Sequence, residues 1–166
     1  DTPTNYEADS GNNGGNYAVI NALNAGSNSS LTDGNLKWTR ASNGYSMGLA
    51  TIGVSSGKWY YEHTFTGSQN NAIAAGIVPV DDTSSYPGQS SNSVGYNFNG
   101  TKVIGTTQTS YGATYDDGDV VGVAFDADNG TVVFYKNGVS QGTATSSLSN
   151  GPYTAAVSAW GSGTGS

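Results

Sequence analysis

The sequence predicts an all-β protein, an antiparallel β-sandwich. Three observations carry that expectation. Short apolar and aromatic runs alternate with period two, as half-buried strands do. Gly, Asn and Asp cluster between these runs at turn-like spacing. No stretch sustains an amphipathic helical pattern for three turns. The 166 residues suffice for one domain with a real core. The 25 Gly and abundant Ser, Thr and Asn would fit disorder, but the 11% aromatic content and repeated Val and Ile do not.

Residues 1–16 are polar and Gly/Asn-rich and read as an extended entry segment. AVINAL, at 18–23, is compatible with a short strand or a single helical turn. Asp33-Gly34 signals a turn before the strand-like LKWTR, and SMGLATIGV at 46–54 reads as a strand. The clearest alternation is in SGKWYYEHTFTG at 56–67. Trp59, Tyr61, His63 and Phe65 share one face, assigned to the core; Tyr60, Glu62, Thr64 and Thr66 share the other. AIAAGIVPV at 72–80 is apolar on both faces, as in a central strand. The polar loop DDTSSYPGQSSNS, 81–93, carries a single aromatic, Tyr86. VGYNFNGTKVIG reads as a hairpin turning at Asn99-Gly100. DVVGVAFDADNGTVVFYKNGVSQGTA reads as three strands, with turns at Asp128-Asn129-Gly130 and Asn137-Gly138. PYTAAVSAW, 152–160, is the last strand expected, with GSGTGS a flexible end. The domain division expected is a segment 1–35 packing on a sandwich of residues 36–166.

Charge and composition exclude several functions. The formal net charge is −7, with only five cations, Lys37, Arg40, Lys58, Lys102 and Lys136, scattered along the chain. Nucleic-acid binding requires clustered cations that displace condensed counterions, so it is not expected; nor is binding to anionic membranes. No apolar run is long enough to span a bilayer. Cysteine is absent, which removes disulfides, thiolate catalysis and Cys-based zinc sites. The first residues have no basic or apolar region of a signal peptide and read as a processed start or an internal fragment.

The acidic stretch DDGDVVGVAFDADNG raises the question of ions or acid–base chemistry. Asp126-x-Asp128-Asn129-Gly130 approximates the opening of an EF-hand loop, but the twelfth position falls on Asn137 and the following residues read as strand, not helix. Turn chemistry is the better reading: Asn129-Gly130 as a type I′ turn, with Asp128 accepting from adjacent backbone N–H groups. A weak site at Asp116, Asp117 and Asp119 is the remaining ionic candidate. A glycosidase needs two carboxylates across one bond. The chain has only Glu7 and Glu62 as glutamates, the first in the entry segment and the second facing away from the core. His63, the sole histidine, reads as a satisfied core or rim residue rather than a catalytic base. G-x-S-x-G occurs at 53–57 and 138–142, but neither match leads into the helix that a nucleophile elbow requires, and no Gly-rich run enters a helix. The sequons at Asn28, Asn99 and Asn129 are no more than such a composition produces by chance. No catalytic residue, metal or cofactor is therefore expected.

The segments SGKWYYEHTF, AAGIV, SVGYNFNG, YGATYDDGDVVGVAFDADNGTVVFYKNG and GPYTAAVSAW resemble, in order and spacing, a SPRY (B30.2-like) domain over roughly residues 50–160. The resemblance implies a bent, concanavalin A-like sandwich with no catalysis, binding proteins or peptides through loops at one end. In that pattern Gly118, Asp119, Gly122, Asp126, Asn129, Gly130, Asn137 and Gly138 are structural. Binding is expected from loops 81–93 and 108–118, with 40–46 a further candidate. The residues singled out are Tyr45, Asp81, Asp82, Tyr86, Tyr111, Asp116 and Asp117, since loop tyrosines give large contact area at low entropic cost. Members of the family finish with one more strand; here GSGTGS follows, so the resemblance implies a missing final strand or one supplied by a neighbouring subunit. The front of the chain is similar to SPRY-like modules of bacteriophage structural proteins. That likeness implies a non-catalytic recognition or assembly module of a virion or extracellular fibre, binding a protein partner. The alternative is a lectin-like carbohydrate-binding domain, with a glycoside hydrolase third.

Overall fold

The computed structural model describes residues 17–40, 44–66, 73–149, 151–160 and 163–165. The entry segment 1–16, with Glu7, and part of the 40–46 loop lie outside them. Among the described residues thirteen strands form two sheets. The seven-stranded sheet runs in the order β1 (Ser29–Thr32), β2 (Lys37–Arg40), β13 (Gly163–Gly165), β4 (Lys58–Thr66), β9 (Val120–Asp126), β10 (Thr131–Lys136), β11 (Val139–Thr145). The six-stranded sheet runs β3 (Tyr45–Val54), β12 (Tyr153–Trp160), β5 (Ile73–Pro79), β6 (Val94–Asn97), β7 (Thr101–Ile104), β8 (Thr107–Ser110). Every recorded pairing is antiparallel. The all-β sandwich is thus the fold observed.

Alternation along the strands builds the core. Val121, Val123 and Phe125 of β9 and Val132 and Phe134 of β10 pack against Ala75, Ile77, Val94, Tyr96 and Tyr153. A second cluster, Trp38, Phe65, Val157 and Ala159, closes the other end. Trp38, Tyr96, Phe65 and Phe134 are fully buried, and burial of each such side chain stabilises the fold by about 1.5–3 kcal/mol. Met47, Leu49, Val78 and Ala156 form a third cluster. By register these four sit on the opposite face of the six-stranded sheet, turned away from its partner sheet.

Of the two alternatives for AVINAL, the helical turn is found: Ala22–Asn24 form a 3-10 turn capped by the Asn21 side chain, and Ile20 makes only an isolated bridge to Ala50. β5 is central as expected, between β12 and β6. Other elements differ from expectation. Residues 107–110, placed at the edge of a loop, pair with β7 as strand β8. Residues 163–165, expected to be a flexible end, form β13 between β2 and β4. A short Gly-rich strand of this kind needs only backbone pairing. Within β4, Tyr61 is half-buried and His63 and Phe65 are buried, but Trp59 is 41% exposed. It lies at the rim, where its indole Nε1 donates to Ser56 O at 2.7 Å.

The acidic turn is also built differently. Asn129 does not adopt positive φ; only Gly130 does, at 63°. Asp126 pairs with Thr131 in the ladder, leaving a four-residue loop rather than a two-residue type I′ turn. Asp126, not Asp128, accepts the local amides: its Oδ1 takes the N–H groups of Asp128 and Asn129, each at 3.1 Å. Asp128 instead accepts from Gly57 N at 2.9 Å, tying this loop to the start of β4. Two-residue turns with both φ positive are found at Asn137-Gly138, at 49° and 78°, and at Gly105-Thr106, at 56° and 69°.

Candidate recognition surface

The outward face of the six-stranded sheet carries an aromatic cluster. Tyr45 opens β3 and Trp160 closes β12, and the two are direct cross-strand partners. Their ring centroids are 4.8 Å apart in an edge-to-face arrangement, a favourable geometry for aromatic quadrupoles. Tyr86, from the 81–93 loop, places its ring 4.8 Å from Tyr45 on another side. Tyr45 is 39% and Trp160 44% exposed, so both present edges to solvent. Burial, followed by the neighbouring Tyr86, raises the Tyr45 pKa, and its hydroxyl remains protonated at neutral pH.

Why Tyr86 stands there follows from its neighbour. Pro87 is fully buried over Gly76 and Gly95, which are register partners on β5 and β6. A Cβ at Gly76 would lie 2.6 Å from Pro87 Cβ, and one at Gly95 2.3 Å from Pro87 O. The two glycines thus form a saddle that only side-chain-free positions allow. Hydrogen bonds fix the rest of the loop. Asp82 accepts from Ser84 N at 2.7 Å and from Ser90 Oγ at 2.8 Å. Gln89 Oε1 accepts from Ser85 N at 2.7 Å, and Ser93 Oγ from Gly88 N at 2.9 Å. A loop ordered before binding loses less entropy on binding.

The residues singled out in the sequence separate into three places. Tyr45 and Tyr86 meet in the aromatic cluster. Asp82 holds the loop, and Asp81 is exposed beside it. Tyr111 packs at the edge of the core, its ring 5.3 Å from Tyr96 and 6.0 Å from Phe134. Its hydroxyl donates to Gly142 O and accepts from Phe134 N. Asp116 and Asp117 lie in the loop before β9, tied to the seven-stranded sheet through Gly118 N to Phe65 O at 2.9 Å. Asp119 anchors that loop: it accepts from Asp116 N at 2.8 Å and Asn137 Nδ2 at 2.7 Å, and pairs with Lys136 at 3.1 Å. Burial opposes its charge, but Asn137, the Asp116 amide and Lys136 together outweigh that and hold its pKa below the usual carboxylate value. The acidic stretch thus builds turns, and among the described residues no three His, Asp or Glu side chains converge as metal ligands.

Trp160 was not among the sequence candidates. Its signal was the parity of PYTAAVSAW: Tyr153, Ala155, Val157 and Ala159 share one face, which leaves Trp160 facing outward.

The SPRY domain profile matches residues 58–165. The chain belongs to the SPRY domain family. SPRY domains are protein–protein interaction modules, generally without catalytic activity of their own. Over 103 residues, 60% of its length, this SPRY domain is 36% identical to the dual specificity protein kinase splA of Dictyostelium discoideum. The match spans 4% of that much longer kinase. Among solved structures it resembles the SPRY domain of human HERC1, with a TM-score of 0.72 at 18% identity, covering 88% of this chain and 94% of that one. A second human SPRY domain gives a TM-score of 0.65 at 22% identity, covering 81% and 91% of the two chains. Stonustoxin gives 0.68 at 17% identity, covering 89% of this chain and 26% of the toxin chain. Glu62, the described glutamate, lies on the outer face of the SPRY sandwich, accepting a hydrogen bond from Tyr60 at 2.9 Å.

Proposed function

We propose that this SPRY domain recognises a protein partner by docking one of its exposed segments on the surface formed by Tyr45, Tyr86 and Trp160. The observation that carries this reading is the convergence of three aromatic rings from three distant chain segments around Tyr45, with neighbouring centroids at 4.8 Å. Aromatic anchors dominate binding energy at interfaces, and here the backbone holds them in place beforehand. Among the described residues no Lys, Arg, Asp or Glu enters the recorded ring contacts of Tyr45, which favours an apolar or aromatic segment over a charged one. The test is selection of binders from a displayed peptide library, followed by titration against variants. Tyr45→Ala, Tyr86→Ala and Trp160→Ala are each expected to weaken binding at least about tenfold, near 1.4 kcal/mol, with the melting temperature little changed. Binders insensitive to all three substitutions would place recognition elsewhere.

A glycan is the rival ligand, supported by the same exposed rings, because sugar C–H faces also stack on aromatics. Saturable binding on a glycan array, lost with Trp160→Ala, would replace the protein reading. The proposed setting is a virion or extracellular assembly, supported by the Ser/Thr/Asn/Gly-rich sequence with its polar turns. Detection of the chain only in cytosolic fractions of its source would overturn that placement.

A further inference from the structure

A glycine that follows Asn or Asp carries a covalent hazard that the fold controls. With no side chain to shield it, the glycine nitrogen can attack the preceding side-chain Cγ. A new C–N bond closes a five-membered succinimide; Asn releases ammonia, and Asp releases water. Water then opens the ring. Opening at the main-chain carbonyl leaves isoaspartate, with the backbone rerouted through Cβ. The attack needs a side chain free to swing onto its own backbone, so a pair with either group held elsewhere reacts slowly. Five such pairs consist of described residues. In four of them a hydrogen bond holds one of the reacting groups. Asn137 is held at both ends: Oδ1 accepts from Val120 N at 2.8 Å, and Nδ2 donates to Asp119 at 2.7 Å. Asn129 Nδ2 donates back to Asp126 at 3.0 Å. Asn99 Oδ1 accepts from Thr101 Oγ1 at 2.7 Å, and Gly100 N donates to Asn97 O at 3.0 Å. Gly118 N, after Asp117, donates to Phe65 O at 2.9 Å.

The fifth pair, Asp33-Gly34, is held by nothing of the kind. Both residues are exposed, in the four-residue loop between Thr32 and Lys37. Among the described residues neither the Asp33 carboxylate nor Gly34 N makes a hydrogen bond or ion pair. The space around Gly34 is open: a Cβ there would meet no atom within 4 Å beyond its chain neighbours. Asp33 also sits at a φ of 54°, where the Cβ of an L residue crowds the following carbonyl. Isoaspartate relieves that crowding, because the main chain then runs through Cβ. We propose that Asp33-Gly34 is a modification site of the folded domain, converting to isoaspartate ahead of the four held pairs. The fold thereby inverts the intrinsic order of reactivity. In a flexible chain Asn reacts before Asp, because a neutral amide is a better electrophile than a carboxylate, which must first take up a proton. The change reaches past the turn. Asp33 O accepts from Leu36 N at 3.2 Å, and Asn35 O accepts from Ile20 N at 2.9 Å. An added main-chain methylene between them disturbs both bonds.

The aromatic surface takes no part, so the two readings fail independently. The experiment incubates the full chain at pH 7.5 in oxygen-18 water, once folded and once unfolded in guanidinium chloride. Each ring opening fixes one heavy oxygen, read residue by residue by peptide mapping with electron-transfer fragmentation, which also separates isoaspartate from aspartate. In the unfolded chain, label is expected at Asn99, Asn129 and Asn137 before Asp33. In the folded chain, Asp33 is expected to label first of the five, with the three Asn slowed at least about tenfold by folding. Gly34→Ala should slow labelling at Asp33 and leave the other four pairs unchanged. In the converted protein, amide exchange at Ile20 and Leu36 should quicken while β9 and β10 keep their protection. The proposal is overturned if any of the four held pairs labels before Asp33 in the folded chain. It is equally overturned if Asp33 stays unlabelled in the folded chain over a period that converts it in the unfolded one.

Discussion

At the scale of single residues, His63 ties sequence to measurable behaviour. The alternation in KWYYEHTFT correctly places it on the buried face, but the expectation of a satisfied histidine fails at Nε2. Burial lowers its folded pKa from 6.5 to about 4. The unfolded chain therefore takes up a proton first as pH falls, and protonation favours unfolding. Stability from this residue is full above about pH 6.5 and is lost as pH drops toward 4, by about 3 kcal/mol in all. Urea unfolding at stepped pH should show that decline, and His63→Leu should remove it; an unchanged slope in the variant would assign the acid sensitivity to other groups. Gly130 sets a second test. Its φ is 63°, and a Cβ there would lie 1.9 Å from Leu148 O. Gly130→Ala is expected to destabilise the fold by about 2 kcal/mol or more, seen as a lower denaturation midpoint with unchanged slope. The Asp-rich stretch is legible as turn chemistry, yet which carboxylate caps which amide was not, since Asp126 and Asp128 differ only in where the neighbouring β4 loop approaches.

At the scale of elements, the 81–93 loop links packing to recognition. Gly95→Ala pushes a methyl group against Pro87 O. Overpacking of this kind costs about 1–3 kcal/mol, and here the loop is the part able to move. The expected outcome is a lower melting temperature together with weakened binding of any ligand that depends on Tyr86. Retained binding with full stability would show that the loop does not rest on this saddle. Strands with strong alternation or flanking turn residues, such as β4, β5, β9 and β10, were readable from sequence because local pattern and tertiary role agree. β8 and β13 were not. TQTS and GTG carry no apolar face, and their strand character comes from neighbours that offer unpaired backbone. The same limit hid part of the candidate site. Tyr86 and Tyr45 could be named as loop or edge aromatics, but their contact with Trp160 depends on the register between β3 and β12 and on a fold-back of the loop, which no local pattern encodes.

At the scale of the whole molecule, β13 joins the β1–β2 hairpin to the rest of the seven-stranded sheet. A chain ending at Trp160 would leave β2 and β4 without their shared partner. Such a truncation is expected to lower the melting temperature and to speed amide exchange at residues 38–40 and 65–66 more than in β9 or β10. Equal protection in both chains would mean that β13 adds no stability. The exposed edges would also raise the tendency to self-associate, a rise that light scattering would register.

That placement has a consequence for how the domain comes into being on the ribosome. Pairing partners separated by more than a hundred residues make for slow, non-local folding. The strand that seats β2 beside β4 is synthesised after the other twelve described strands. Until residue 165 clears the exit tunnel, the nascent chain carries two unzipped backbones, and the β1–β2 hairpin waits for a strand translated long after it.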